Sequence, residues 1–77
     1  MSRPLSPAEI IEKARNRVAV AQTTGALEAA LNRAHGAIHT LLDLRVIAIG
    51  VWREAIEGVD QQAEQTAKAL SEAGGSQ

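Results

Sequence analysis

Apolar side chains recur every three or four residues along most of the chain, which is the period of an α-helix. In the first third of the chain they form one stripe that consists of Ile10, Ile11, Ala14, Val18 and Ala21. Ser6 and Glu9 have the spacing of a capping box, and Pro7 suits the first helical position. These features predict a first helix from Pro7 to about Thr23, followed by a turn at Gly25.

The apolar period continues after this turn towards the end of the chain. It first runs through Leu27, Leu31, Ala34, Ile38 and Leu41. It then continues on a shifted stripe through Leu42, Val46, Ile49, Ile56, Val59, Ala63, Ala67 and Leu70. Gly36, Gly50 and Gly58 fall inside the pattern without shifting its phase, although each costs up to about 1 kcal/mol in a helix interior. The pattern therefore predicts one long second helix that extends to about Glu72. A break at one of the glycines stays open, and Gly58, followed by Asp60 as a new cap, is the strongest candidate.

Residues 41–52 form the most apolar segment of the chain, and no single face of a surface helix accounts for its apolar side chains. The chain has no Phe, no Tyr and a single Trp, so few large side chains remain elsewhere to cover this segment. We therefore predict that a second copy of the chain or another protein covers it. The predicted interface consists of Leu42, Val46, Ile49, Trp52 and Ile56.

A β-strand is the alternative for residues 44–52, because Val and Ile are frequent in strands. No other segment has strand character, so such a strand would have to pair with another molecule. The predicted fold class is therefore all-α: a helical hairpin with one short and one long helix, which dimerises into a four-helix bundle. Residues 1–5 and 74–77 are predicted to be disordered, and residues 6–73 are predicted to form a single helical domain.

The length and the charge distribution of the chain limit how it can gain stability and assemble. A chain of 77 residues has a small core and usually gains stability from disulfides, a metal, oligomerisation or very regular helix packing. Cysteine is absent, which closes the first of these routes. Basic residues predominate up to His35 and acidic residues from Glu54 onward, although the net charge is only -1. This polarity suits an antiparallel arrangement within the chain or with a partner.

His35, His39 and Asp43 follow one another at intervals of four residues, which places them on one ridge of a helix. Two imidazoles and a carboxylate can bind a divalent metal, but structural zinc needs a fourth ligand. No matching cluster occurs elsewhere in the sequence, so only two facing copies could complete such a site. Polar residues that flank a core stripe are the simpler interpretation, and no metal or cofactor is predicted.

No enzymatic activity is predicted. Glu54 and Glu57 have the residue type of paired acids, and Ser6, Thr23 and Thr24 that of nucleophiles. Catalysis needs such groups to converge on a pocket from different elements, and a helical chain of this size offers no evident cleft.

Nucleic acid and membrane are not predicted as partners. Lys13 and Arg17 share a helix face whereas Arg15 points nearly the opposite way, which splits the basic cluster, and no aromatic residue stands nearby for base stacking. Residues 41–52 are too few to cross a bilayer as a helix. The amino terminus lacks the pattern of a signal peptide, so a cytoplasmic location is predicted.

The predicted function is protein interaction or assembly: the chain acts as a small scaffold, adaptor or regulator in the form of a homo-oligomer. The alternative is a subunit of a hetero-complex, such as a secretion, phage-particle or toxin–antitoxin component, in which residues 41–52 dock on a different chain. A nucleic-acid-binding regulator is a more distant alternative.

Overall fold

The computed structural model describes residues 4–74, which form three α-helices and no β-strand. Helix α1 spans Pro7–Ala19, α2 spans Thr24–Asp43 and α3 spans Ile49–Gly74. The all-α prediction is confirmed, and the strand alternative for residues 44–52 is wrong. The predicted disorder of residues 1–3 and 75–77 concerns positions outside the described range, whereas Gly74, predicted in the tail, is the last residue of α3.

Helix α1 begins as the sequence predicts but ends earlier. The Ser6 side chain accepts a hydrogen bond from the Glu9 amide at 3.2 Å, and the Ser6 amide donates to Glu9 Oε1 at 3.4 Å. The helix ends at Ala19 and not near Thr23, because Thr23 caps the next helix: its Oγ1 accepts from the Ala26 amide at 3.0 Å. Gly25, predicted as the turn, therefore lies in the first turn of α2.

The predicted long second helix is wrong, because the chain reverses between α2 and α3. Arg45 adopts a left-handed conformation with φ 58°. Its amide donates to the Leu42 carbonyl, and the Val46 amide donates to the Leu41 carbonyl, both at 2.9 Å. This hydrogen-bond pair is a Schellman motif, which ends helices and here carries arginine where glycine is usual. Gly36, Gly50 and Gly58, the candidate break points, all lie inside helices.

The reversal replaces the predicted hairpin by a three-helix bundle. Helix α3 folds back and packs on both α1 and α2, so the chain supplies a third helix to its own core. The fully buried side chains Val18, Ile38 and Val59 come one from each helix. The remaining buried apolar residues are Leu27, Ala34, Leu41, Ile47, Ala55 and Ala63. Part of the apolar surface that we assigned to a partner is therefore covered within the chain.

The left-handed arginine gives a first testable prediction. An L-residue with a Cβ is strained in this conformation by roughly 1–2 kcal/mol, whereas glycine adopts it freely. Arg45→Gly is therefore expected to stabilise the bundle by about 1 kcal/mol, which raises the melting temperature by about 4–8 °C for a domain of this size. Thermal unfolding followed by circular dichroism measures the shift. Arg53→Gly, a substitution of an exposed arginine within α3, should lower the melting temperature. A fall for Arg45→Gly as well would contradict the described turn.

Candidate interaction surface

Exposed apolar side chains concentrate where α2 turns into α3. Leu44 is 67%, Val46 50%, Ile49 63% and Val51 45% exposed. We call these four residues the apolar corner. Within the described residues, the other large hydrophobic side chains with comparable exposure are Leu5 and Val20. Exposed aliphatic side chains this close together in sequence form a candidate surface for contact with another molecule.

The structure divides the five predicted interface residues into two groups. Val46 and Ile49 belong to the apolar corner and are accessible. Leu42, Trp52 and Ile56 are half-buried and pack against the core of the chain itself. The prediction missed Leu44 and Val51, which lie in the same apolar run but off the stripe of the assumed continuous helix. Because the chain reverses at Arg45, these two residues also face solvent.

Trp52 joins α3 to α2 next to the apolar corner. Its ring centroid lies 5.4 Å from that of His39, with the two planes inclined by 53°. The indole Nε1 is buried and has no hydrogen-bond partner among the described residues. The indole ring therefore contributes to the packing between α2 and α3.

A groove runs between α1 and α3 and reaches the apolar corner. Its volume is about 680 Å³. Ile47 and Val51 line the end next to the turn, and Ala55 and Gly58 continue the same ridge of α3. Ile11 lies on the opposite wall, which α1 provides. The only hydroxyl side chain in the lining is that of Ser6, which is engaged with Glu9 in the capping box. The walls are thus mainly aliphatic, as expected for a surface that receives apolar groups.

The basic residues of α1 separate as the sequence predicts. Arg15 lines the α1–α3 groove, whereas Lys13 and Arg17 line a second groove of about 210 Å³ between α1 and α2. Arg33 of α2 joins the latter pair, a neighbour that the sequence pattern of α1 alone does not reveal. No aromatic side chain lines this groove in the described structure. It is an apolar cleft with a cationic rim and without a platform for base stacking.

The predicted ridge of His35, His39 and Asp43 does not come together as a ligand set. His35 Nε2 shares a hydrogen bond of 2.7 Å with Asp60 Oδ1, which joins α2 to α3, and His39 packs against Trp52. Within residues 4–74 no group of three or more metal-binding side chains is present. The histidines of the described fold therefore link helices to each other.

None of the helices within residues 4–74 combines the length and the apolar character that crossing a membrane requires. Comparison of the chain with protein-family models, with curated proteins and with solved structures finds no match. The fold and the surface define a small three-helix bundle with an uncovered apolar corner.

Proposed function

We propose that this protein is an interaction and assembly module that acts as a homodimer and docks through the apolar corner. The observation that carries the proposal is the exposure of Leu44, Val46, Ile49 and Val51 within eight consecutive residues. Each Å² of apolar surface removed from water contributes about 25 cal/mol, so covering these side chains favours association. The cytoplasmic location predicted from the sequence belongs to the same proposal.

The size of the chain supports association with a second copy. The largest side chains that are completely buried in the described bundle are those of Val18, Ile38 and Val59, and none of them is aromatic. A core of this size leaves a small margin of stability, and oligomerisation is a common way for such chains to increase it. In a homodimer with a two-fold axis, one interface covers the apolar corner of both subunits.

A scaffold or adaptor role is favoured over catalysis by the placement of the polar groups. His35 is bonded to Asp60 and His39 packs against Trp52, while the hydroxyl of Ser6 caps α1. Groups of the kind that act as base and nucleophile therefore have structural partners on separate parts of the bundle. An arrangement for general acid or base catalysis needs them to converge on one reacting atom.

The homodimer is tested by a charge placed in the apolar corner. Ile49→Glu puts a carboxylate on a residue that is 63% exposed, in the first turn of α3, where the helix dipole favours an acidic side chain. We expect the subunit to stay folded and the dimer dissociation constant to rise about tenfold or more, because the carboxylate must be desolvated on association. Sedimentation velocity over a range of concentrations measures this constant.

The matched control is Val20→Glu. Val20 is 71% exposed and lies at the turn between α1 and α2, at the other end of the 20-residue helix α2 from the apolar corner. This variant should dimerise like the unmodified protein. Equal weakening by both substitutions would show that the apolar corner has no special role. A monomer at every concentration would contradict the homodimer and favour the alternative in which a different chain covers this surface.

A further inference from the structure

We propose that the α1–α3 groove is the second part of the homodimer interface and that α3 of a second copy occupies it, crossing this α3 at Gly58. The inference rests on the proposed homodimer and extends it, because it names the contact surface and the helix that fills it. Three observations carry it: the area that a stable dimer requires, the glycine on the groove wall and the charges on its rim.

The apolar corner alone is too small for a stable interface. Its four side chains are between 45% and 67% exposed, so together they present on the order of a few hundred Å² of apolar surface. A specific interface of standard size buries about 800 Å² on each partner. The α1–α3 groove adjoins the corner directly, since Val51 belongs to both and Ile47 lies between them in the turn. The corner and the groove together form one continuous, mainly apolar surface that is larger than the corner alone, as a stable interface requires.

Gly58 lies on the wall of this groove, inside helix α3. A glycine in a helix interior costs up to about 1 kcal/mol relative to alanine. A Cβ built at this position meets no atom within 4 Å, as at Gly25, Gly36 and Gly50, so the isolated subunit has no steric need for glycine there. Gly58 is the one of these four glycines that lines the groove. Glycine is suited to positions where another backbone approaches closely. In the proposed dimer, the backbone of the second α3 makes this approach.

The rim of the groove carries charges of both signs. Arg15 stands on the α1 side and Glu54 on the α3 side, with Glu12 next to Arg15. None of these side chains forms an ion pair with another residue in the described range. A two-fold axis brings the same surface of both copies together, so Arg15 of one copy can meet Glu54 of the other, twice in each dimer. A second copy of this groove can place opposite charges together. A strongly basic partner would bring like charges against Arg15, and a strongly acidic partner would bring like charges against Glu12 and Glu54.

The charge pairing is tested by reversal. Arg15→Glu and Glu54→Arg each place like charges opposite one another in the proposed dimer, and each is expected to raise the dissociation constant about fivefold or more. The double variant, which carries both changes, restores opposite charges and should dimerise within about twofold of the unmodified protein. Additive weakening in the double variant would overturn the proposed pairing, because it would show that the two residues do not face each other.

The close helix crossing is tested by a pair of glycine variants. Gly58→Ala and Gly36→Ala both fill open space inside a helix, so both should raise the melting temperature by a few degrees. Gly36 is exposed on α2 and lies outside the groove, so its variant should dimerise normally. Gly58→Ala should raise the dissociation constant about tenfold, because the added methyl group separates the crossing helices.

The results separate this inference from the homodimer itself. A Gly58→Ala variant that is more stable as a subunit but weaker as a dimer supports the crossing. If Gly58→Ala leaves the dissociation constant unchanged but Ile49→Glu raises it, the second copy does not occupy the groove. The apolar corner alone is then the interface. An unmodified chain that stays monomeric overturns both proposals.

Discussion

A Val59→Asp variant is expected to be unfolded at neutral pH. Val59 is fully buried between the helices, and an aspartate there would place a carboxylate among aliphatic side chains without a partner. The cost of several kcal/mol is comparable with the whole stability of a small domain, which is about 5–15 kcal/mol. Far-ultraviolet circular dichroism should show that most of the helical signal is lost.

The pH dependence of this variant follows from the same burial. A buried carboxyl has a pKa above its unfolded value of about 3.9, because burial disfavours the charged form. The unfolded state then loses its proton first, so the penalty is smallest below about pH 4 and grows as the pH rises. Part of the helicity should therefore return on acidification. Gln61→Asp, on the exposed side of α3, is the control and should remain folded at pH 7. A folded Val59→Asp protein at pH 7 would contradict the described core.

The second large effect is expected for Ile38→Ala, with a loss of about 2–4 kcal/mol in the free energy of unfolding. Ile38 has no exposed surface and lies on α2, which packs on both other helices. Truncation removes apolar contacts and leaves a cavity that the neighbouring side chains fill only in part. Urea unfolding at a fixed protein concentration measures the loss, since the stability of the proposed dimer would depend on concentration.

Val20→Ala is the matched truncation for this second prediction. Val20 is 71% exposed, so its loss should change the free energy of unfolding by less than about 0.5 kcal/mol. A similar small effect of Ile38→Ala would show that α2 does not occupy the centre of the bundle.

The sequence contains the local signals for the start of α1 and for the buried faces. The capping box of Ser6 and Glu9 is present as predicted, because it depends only on residues three positions apart. Val18, Ile38 and Val59 stand on the predicted apolar stripes and are fully buried. Helical periodicity reports which side of each helix is covered, and that information is contained in the spacing itself.

The reversal between α2 and α3 could not be predicted in the same way. Apolar residues continue at helical spacing across the turn, and this spacing does not reveal that the helix axis has changed direction. The turn contains neither glycine nor proline, and its left-handed position is occupied by Arg45. The glycines that favour a break lie in the helices instead. Here the burial of α3 against α1 and α2 outweighs the local conformational preference of one arginine.

The same reversal explains why only part of the predicted interface is accessible. Trp52 and Ile56 lie on the face of α3 that turns towards the core, and Leu42 packs there from the end of α2. Val46 and Ile49 stay outside, because the turn holds them away from the three packed helices. The prediction that the chain has more apolar surface in residues 41–52 than it covers therefore applies to the apolar corner and not to the whole run.

The most direct measurement is the light-scattering mass of the unmodified protein across a dilution series, with the fluorescence of Trp52, the only tryptophan, as a check that it stays folded. We predict twice the mass of the 8.1 kDa chain at high concentration and a reversible fall towards 8.1 kDa on dilution, as the apolar corner loses its cover. A mass of 8.1 kDa throughout, with unchanged tryptophan emission, would show that the bundle tolerates this corner in water without a second copy.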